Sequence, residues 1–176
     1  SVAITLILGF PVGILAGSSR LVRAVVTPLL DAMQTMPAFV YLVPAIFFFG
    51  VGATTAIMAT VIYALPPIIR MTSHGLRSTP DNLIEVADSF GASPLQIFLR
   101  VRLPHALGAV LVGVNQTIMM ALGLVVLAAM VGAPGLGTEI WLALQKLNVG
   151  KALEGGICIV FMAMLLDRLM DAATGP

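Results

Sequence analysis

The sequence lacks the charge that a water-soluble domain of its length carries. Only 10% of its 176 residues are Asp, Glu, Lys or Arg, and 59% are hydrophobic, whereas soluble domains carry roughly 25% charged residues. With a mean hydropathy of +1.07, the chain has too few polar groups to cover its apolar surface in water. The composition therefore excludes an ordinary soluble domain and predicts an all-α membrane protein with several spans.

The sequence also lacks the groups that catalysis or metal binding would need. Its one cysteine, Cys158, excludes an intrachain disulfide and a metal cluster held by thiolates. It has no ATP-type phosphate loop, since Lys151 is followed by Ala152. It has neither the Ser elbow nor the paired His of common hydrolases, and His74 and His105 fit structural or interfacial roles. We therefore expect no catalytic residue, no metal site and no cofactor.

Three uncharged stretches have the length of membrane-crossing segments, and they cover residues 1–19, 32–69 and 107–131; a fourth, apolar stretch near 152–166 contains Glu154 close to its start. The second stretch would be about 57 Å long as one helix, nearly twice the hydrocarbon thickness. It must therefore fold back, with the turn at Gly50–Gly52 and the far end at Pro66 and Pro67. Thr35 is predicted to start the helix of the second span. We predict five spans, near residues 1–19, 36–49, 53–69, 107–131 and 152–166.

The basic residues orient these spans, because Lys and Arg accumulate on the cytoplasmic side of a membrane. When successive loops are assigned to alternate sides of the membrane, all seven arginines lie on one side and both lysines on the other. The loop of residues 70–105 is then cytoplasmic and Ser1 lies outside. Since the sequence starts at Ser1 without Met and is apolar from Val2, we expect one transmembrane domain over residues 1–176 with further chain before it. The uncharged stretches contain no ionisable residue, whereas a transporter driven by protons or sodium would be expected to place one near the centre of the bilayer.

The cytoplasmic loop carries signals for two short helices. Pro80 can open an amphipathic helix, Gly91 is placed to end it in the left-handed conformation, and Ser93 with Pro94 can start a second helix. Arg100 and Arg102 would lie near the carboxyl end of that second helix. Such a corner on the membrane face is a docking surface for another protein. A DNA-binding helix-turn-helix is disfavoured by the tether between two spans, and a loop that merely lies on lipid headgroups remains an alternative.

Two further patterns lie towards the carboxyl end. Gly113 and Thr117 belong to a stripe of small residues in the fourth span, which lets another helix approach closely. Asn115 and Gln116 lie beside it, and an amide in hydrocarbon without a partner costs several kcal/mol. We therefore predict that both amides face protein or a pathway, with helix packing and substrate contact left open. Beyond that span, Thr138 is predicted to cap a short amphipathic helix that presents Trp141 and Leu147 on its apolar side.

The cytoplasmic loop resembles the EAA loop of bacterial ABC importer permeases. That pattern reads E-A-A, three residues, G, nine residues, I-x-L-P, and it matches Glu85, Val86, Ala87, Gly91 and 101–104 (VRLP). The departures, Val86 for Ala and Val101 for Ile, keep an apolar side chain. Four other segments are similar to the glycine betaine, proline and choline branch of that family: 31–44 (DAMQTMPAFVYLVP), 64–70 (ALPPIIR), 90–94 (FGASP) and 113–117 (GVNQT).

The resemblance implies a type I importer permease fold in the bacterial cytoplasmic membrane. It implies partners as well: a second permease copy, a cytoplasmic ATP-binding subunit, and an extracytoplasmic substrate-binding protein or domain. ATP hydrolysis would then reside on the partner. The residues that would dock the ATPase are Glu85, Ala87, Asp88, Phe90, Gly91, Ala92, Ser93, Pro94, Leu103 and Pro104.

The implied substrate is a betaine-like osmolyte taken up for osmoprotection. A quaternary ammonium ion is usually held by an aromatic cage, yet this chain has one Trp and two Tyr, far apart in sequence. We therefore expect tight recognition on a partner and only a passage here. Two alternatives remain open, which are a permease for another small solute such as an amino acid, and a membrane interaction protein without transport.

Overall fold

The computed structural model describes residues 1–174, without the side chains of residues 171, 173 and 174, and throughout that part the chain is helical with short turns. The α-helices in chain order are α1 (Val2–Ser18), α2 (Arg20–Thr35), α3 (Phe39–Phe49), α4 (Ala53–Arg77), α5 (Asp81–Ser89), α6 (Pro94–Ile97), α7 (Leu103–Gly123), α8 (Val125–Met130), α9 (Leu136–Gln145) and α10 (Val149–Thr174). A π-helical turn, Phe98–Arg102, joins α6 to α7. The all-α class predicted from composition is confirmed.

Helix α4 is the centre of the fold and packs against α1, α7, α3 and α2. Three glycines of α1, spaced four residues apart, lie directly on α4. A Cβ atom at these positions would approach side-chain atoms of α4 to 2.4 Å (Gly9 to Ile68), 2.6 Å (Gly13 to Thr72) and 3.0 Å (Gly17 to Leu76). Since real Cβ atoms need more room, only glycine allows the two backbones this separation. The stripe 9–13–17 is a signal for close packing that the sequence analysis missed.

Three helices are long and apolar enough to cross a membrane: Ala53–Arg77, the continuous helix Pro94–Gly123 and Val149–Met170. Counting the bent pair α2 and α3 as one span gives four, and α1 is apolar but has 17 residues.

The predicted span 36–49 is wrong as a single crossing, because α3 has 11 residues, which is about 16 Å of helix. It meets α2 at 99°. The turn predicted between spans is present, since Gly50 and Gly52 have φ of 71° and 150°.

Two predicted helix boundaries near this turn are also wrong. Pro66 and Pro67 do not end a span but lie buried inside α4, which runs on to Arg77. A proline within a spanning helix is tolerated where neighbouring helices enclose it. Thr35 does not start a helix either: it ends α2, and its hydroxyl donates to the Ala32 carbonyl at 2.9 Å.

The carboxyl-terminal part differs from expectation at several points. The predicted span 107–131 is interrupted at Leu124, where α7 gives way to the short α8. Thr138 lies inside the first turn of α9 rather than capping it, with its hydroxyl donating to the Ala133 carbonyl at 3.0 Å. Leu147 lies beyond α9 with φ of 52° and is 88% exposed. The last span does not end at Asp167, because α10 continues to Thr174.

Candidate functional site

A sharp corner joins α5 to α6 in the loop predicted to be cytoplasmic. Gly91 has φ of +74°, the left-handed conformation that favours glycine. Its N–H donates to the Asp88 carbonyl at 2.8 Å, and the Ala92 N–H donates to the Ala87 carbonyl at 3.1 Å. These bonds satisfy carbonyl groups that the end of α5 would otherwise leave free. The helix ends here as the sequence predicts.

Ser93 starts the second helix through a reciprocal capping box. The Gln96 N–H donates to Ser93 Oγ at 3.4 Å, and the Ser93 N–H donates to Gln96 Oε1 at 2.8 Å. The prediction of a short second helix is wrong, since α6 continues through the π-helical turn into α7 and forms one helix from Pro94 to Gly123. Arg100 and Arg102, expected near a helix end, therefore lie inside a continuous helix.

The corner presents apolar side chains to the surroundings. No residue of α5 is buried, and Phe90 at the tip is 87% exposed, with Leu83, Val86 and Leu95 also exposed. Clustered exposed apolar groups on a loop that also carries charge are typical of a surface that contacts another protein or a membrane. We call residues 85–94 the coupling corner.

The predicted docking residues separate into two groups in the structure. Those from Glu85 to Pro94 form the coupling corner, with Glu85, Asp88, Ser93 and Pro94 exposed and Ala87 and Ala92 half-buried. Leu103 and Pro104 lie in the first turn of α7, about 13 Å from Pro94 along the helix. They belong to the helix that the corner leads into, not to its surface.

A cavity of about 410 Å³ opens between α2 and α4, and α1 and α7 contribute to its wall. Its polar lining comes from Arg23, Thr27, Gln34, Arg70, Ser73, His74, Arg77 and Gln116. Gln116 is exposed within this chain, so the cavity gives its amide the polar surroundings that hydrocarbon would deny it. At the edge of the cavity Arg70 and Asp31 form an ion pair between α4 and α2. Both side chains are partly exposed, so the pair adds little stability.

The neighbouring amide, Asn115, points to a different helix. Its Nδ2 donates to Asp167 Oδ1 of α10 at 2.6 Å, while its own Oδ1 is buried without a partner. Asn115 lies twelve residues beyond Leu103, which is about 18 Å along α7. Asp167 is therefore held against the middle of α7, within a helix that continues beyond it. It is the polar residue of this region that the sequence analysis missed, and its position after an uncharged stretch concealed it.

The other two residues of the predicted pathway set face α4. A Cβ at Gly113 would lie 2.7 Å from Met71 Cβ, and the buried Thr117 hydroxyl donates to the Ala64 carbonyl at 3.4 Å. The four residues thus point to three places: Gly113 and Thr117 to α4, Asn115 to α10, and Gln116 to the cavity. Of these four residues, Gln116 alone lines the cavity.

The two tyrosines, which are far apart in sequence, are neighbours in space. The rings of Tyr41 and Tyr63 meet edge to face with centroids 5.6 Å apart. Tyr41 is buried in the cluster that joins α3 to α4 and donates through its hydroxyl to the Met33 carbonyl. Its ring faces are therefore used in packing, as in an ordinary core. Among the side chains that the structure describes, which leave out residue 171, no three of His, Cys, Asp or Glu are placed to share a metal ion.

The family model described as "Binding-protein-dependent transport system inner membrane component" matches residues 9–174. The chain is 52% identical over 169 residues to the glycine betaine transport system permease protein OpuAB of Bacillus subtilis (strain 168), covering 96% of this chain and 60% of that protein. It is 47% identical over 167 residues to the glycine betaine/proline betaine transport system permease protein ProW of Escherichia coli (strain K12), covering 95% of this chain and 47% of that one. The chain thus spans about half the length of the curated relatives it matches.

Two further comparisons concern other substrates. The chain is 41% identical over 166 residues to the trimethylamine N-oxide transport system permease protein TmoV of Pelagibacter ubique (strain HTCC1062), covering 94% of this chain and 23% of that protein. Its fold is similar to a chain of the inward-facing MetNI methionine ABC transporter, with a TM-score of 0.85 and 26% identity over 98% of this chain and 87% of that chain.

Proposed function

The chain belongs to the family of binding-protein-dependent transport system inner membrane components, and from this membership we propose that it is the permease part of an ATP-driven importer of glycine betaine and related osmolytes. Residues 1–176 would form one transmembrane domain in the bacterial cytoplasmic membrane. The chain would provide the passage, and a separate subunit would hydrolyse ATP.

The proposed substrate class rests on the order of the sequence identities between this chain and its relatives. Identity is 52% and 47% with two glycine betaine permeases and 41% with a trimethylamine N-oxide permease, but 26% with the methionine transporter chain. Small methylated amines are therefore favoured over amino acids. The runner-up proposal is uptake of trimethylamine N-oxide, which shares the methylated nitrogen.

The coupling corner is the proposed contact with the ATPase. Its exposed Phe90 and Val86 offer an apolar surface, and the positive φ of Gly91 gives the corner its sharp shape. The helix that starts at Pro94 continues without interruption to Gly123, so a displacement of the corner is passed along one rigid element. Gln116 lies on that element and lines the cavity. ATP-driven movement of the corner would therefore move a wall of the cavity.

The cavity suits a passage better than a receptor. Its lining has arginines and amides, and Tyr41 is enclosed in the core, so an aromatic cage for a quaternary ammonium ion is not formed by the tyrosine pair. A passage must also bind its cargo weakly enough to release it. We assign tight capture to a substrate-binding protein or domain, and completion of the pathway to a second permease copy.

The test is uptake by lipid vesicles that contain the full-length permease, its ATPase and its binding protein. Radiolabelled glycine betaine, proline, trimethylamine N-oxide and methionine are supplied in turn, with and without ATP inside. We expect ATP-dependent accumulation of glycine betaine, competed by unlabelled betaine and not by methionine. Preferred accumulation of methionine or proline would overturn the substrate, and the absence of ATP-dependent uptake of all four would overturn the transport role.

A further inference from the structure

A second cavity lies at the cytoplasmic junction of the fold and is separate from the predicted docking residues. Its volume is about 340 Å³. It lies where the corner between α1 and α2 meets the end of α4, the start of α5 and the π-helical turn. Four arginines and one acid line it: Arg20, Arg23, Arg77, Arg102 and Asp81. The same cavity therefore joins both ends of the cytoplasmic loop to the amino-terminal helices.

The described residues neutralise only part of the positive charge in this cavity, since one acid lines it with four arginines. Across the residues whose side chains are described, the one ion pair within 4.0 Å is Arg70 with Asp31, so none of the four cavity arginines has a carboxylate partner there. Arg102 Nε is in addition buried without a hydrogen-bond partner. A buried charged donor left unsatisfied is costly, and guanidinium groups converging on one space favour an anion with several oxygens.

The surroundings indicate where that anion comes from. Helix α2 begins at Arg20, and its Leu21, Val25 and Leu29 are 76%, 65% and 59% exposed. These three follow one another at four-residue intervals, so α2 presents an apolar stripe beside Arg20 and Arg23. A basic group next to an exposed apolar stripe is the pattern of a helix in the membrane interface. Basic pockets between spans on the cytoplasmic side bind anionic headgroups.

We propose that this cavity binds the phosphate group of an anionic phospholipid, with Arg102 and Arg20 as its principal ligands and the acyl chains along the apolar stripe of α2. The cavity has room for a phosphate with part of its glycerol. Asp81 at its rim weakens the field but leaves a surplus of three positive charges. The bound lipid would hold the start of α5 and the π-helical turn against α1 and α2, and so fix the base of the coupling corner.

The experiment is native mass spectrometry of the full-length permease in detergent, titrated with phosphatidylglycerol or with phosphatidylcholine of the same acyl chains. Arg20→Gln with Arg102→Gln removes the two ligands that line this cavity and not the larger one. Arg100→Gln is the matched control, because Arg100 is exposed in the same π-helical turn and does not line the cavity. Arg102→Lys is a second variant, which keeps the charge and loses the planar fork.

We expect one phosphatidylglycerol bound more tightly than phosphatidylcholine, with affinity falling as salt is raised. The double variant should bind phosphatidylglycerol on the order of tenfold more weakly, since two charge-assisted bonds are lost. Arg102→Lys should show an intermediate loss, and Arg100→Gln should bind like the wild type. Equal binding by the double variant and the wild type, or an equal loss in the Arg100→Gln control, would overturn the proposal.

Two added measurements identify the source of the anion. Inorganic phosphate at millimolar concentration is titrated against bound phosphatidylglycerol, and the titration is repeated with the ATPase subunit assembled. Weak competition and unchanged binding in the assembled complex support a lipid. Full displacement of phosphatidylglycerol by low millimolar phosphate would show that the cavity binds a free anion, and this would overturn the lipid site. Loss of the lipid on assembly would show that a partner's carboxylates occupy the arginines, which would overturn the lipid site.

Discussion

Asn115 of α7 donates a hydrogen bond to Asp167 of α10, with 2.6 Å between Nδ2 and Oδ1 across a separation of 52 residues in sequence. The bond joins the last long helix to the centre of the fold, because α7 in turn packs against α4. A carboxylate enclosed between helices needs a hydrogen-bond donor. Asn115 is therefore placed at a contact between two helices, whereas its neighbour Gln116 lines the cavity.

The first prediction concerns this hydrogen bond. Asn115→Leu leaves the Asp167 carboxylate without its donor, and we expect a loss of about 1–3 kcal/mol in the free energy of unfolding. Asp167→Asn keeps an acceptor for the bond and should cost less. Thermal unfolding of the full-length permease in detergent measures both. Gln116→Leu is the control and should unfold near the wild-type temperature. An unchanged midpoint for Asn115→Leu would show that the bond does not hold α10 to α7.

The second prediction concerns the contact of α7 with α4. Gly113→Ala places a Cβ 2.7 Å from Met71 Cβ and 3.3 Å from Ile68 Cα, so the helices must separate, at a cost of about 1–3 kcal/mol. Gly108→Ala on the same helix meets nothing within 4 Å and should be neutral, or stabilising by up to about 1 kcal/mol from helix propensity. The midpoints of thermal unfolding test this pair. Equal effects of the two substitutions would contradict the close approach at Gly113.

The third prediction concerns the cavity wall. Gln116→Leu removes a polar group from the cavity at similar size, and we expect a lower maximal rate of betaine uptake by the complete complex. The concentration for half-maximal uptake should not change, because capture is assigned to the binding protein. Gln116→Asn keeps the amide and should retain more of the rate. A raised half-saturation concentration, or micromolar binding of betaine to the purified permease alone, would place the recognition site in this chain.

The fourth prediction concerns topology. A cysteine at Arg77 should react with an impermeant thiol reagent only from the cytoplasmic side, and one at Lys146 only from outside, given the division of basic residues. Both positions are exposed. Cys158, which is also exposed, must first be replaced by Ser. Labelling of the two positions from the same side would contradict the orientation.

The local features of the cytoplasmic loop could be predicted from the sequence, and the helix boundaries within the membrane could not. Gly91 and Ser93 act through their own backbone and neighbours, so their roles follow from residue type and spacing. Pro66 and Pro67 carry an equally strong local signal for a helix end. That signal failed because α4 is enclosed by other helices, which is a tertiary property. The bend between α2 and α3 is also a tertiary property, since hydropathy alone does not show where an apolar stretch bends.

The two adjacent amides show why the site could be predicted only in part. Residue type predicted that Asn115 and Gln116 face protein or a pathway, and in the structure Asn115 meets Asp167 while Gln116 lines the cavity. Which partner each one meets depends on the rotation of α7 and on a residue 52 positions away in the case of Asn115. The tyrosines illustrate the same limit, because the separation of Tyr41 and Tyr63 in sequence gave no indication that their rings are 5.6 Å apart.

The proposed role of the coupling corner, which is to transmit movement of the ATPase to the membrane helices, is tested by substitution of Gly91. Gly91 has φ of +74°, and a Cβ added there would meet no other atom within 4 Å. Gly91→Val therefore acts through backbone strain, at about 1–2 kcal/mol. Asn tolerates this conformation and provides the control, Gly91→Asn.

The measurement is ATP-dependent uptake of radiolabelled glycine betaine by vesicles that contain each complex, normalised to the permease inserted. We expect the Gly91→Val permease to insert normally and to lose most of its uptake, while Gly91→Asn retains most of it. Uptake by the Gly91→Val complex equal to the wild type, with the ATPase bound in normal yield, would contradict it.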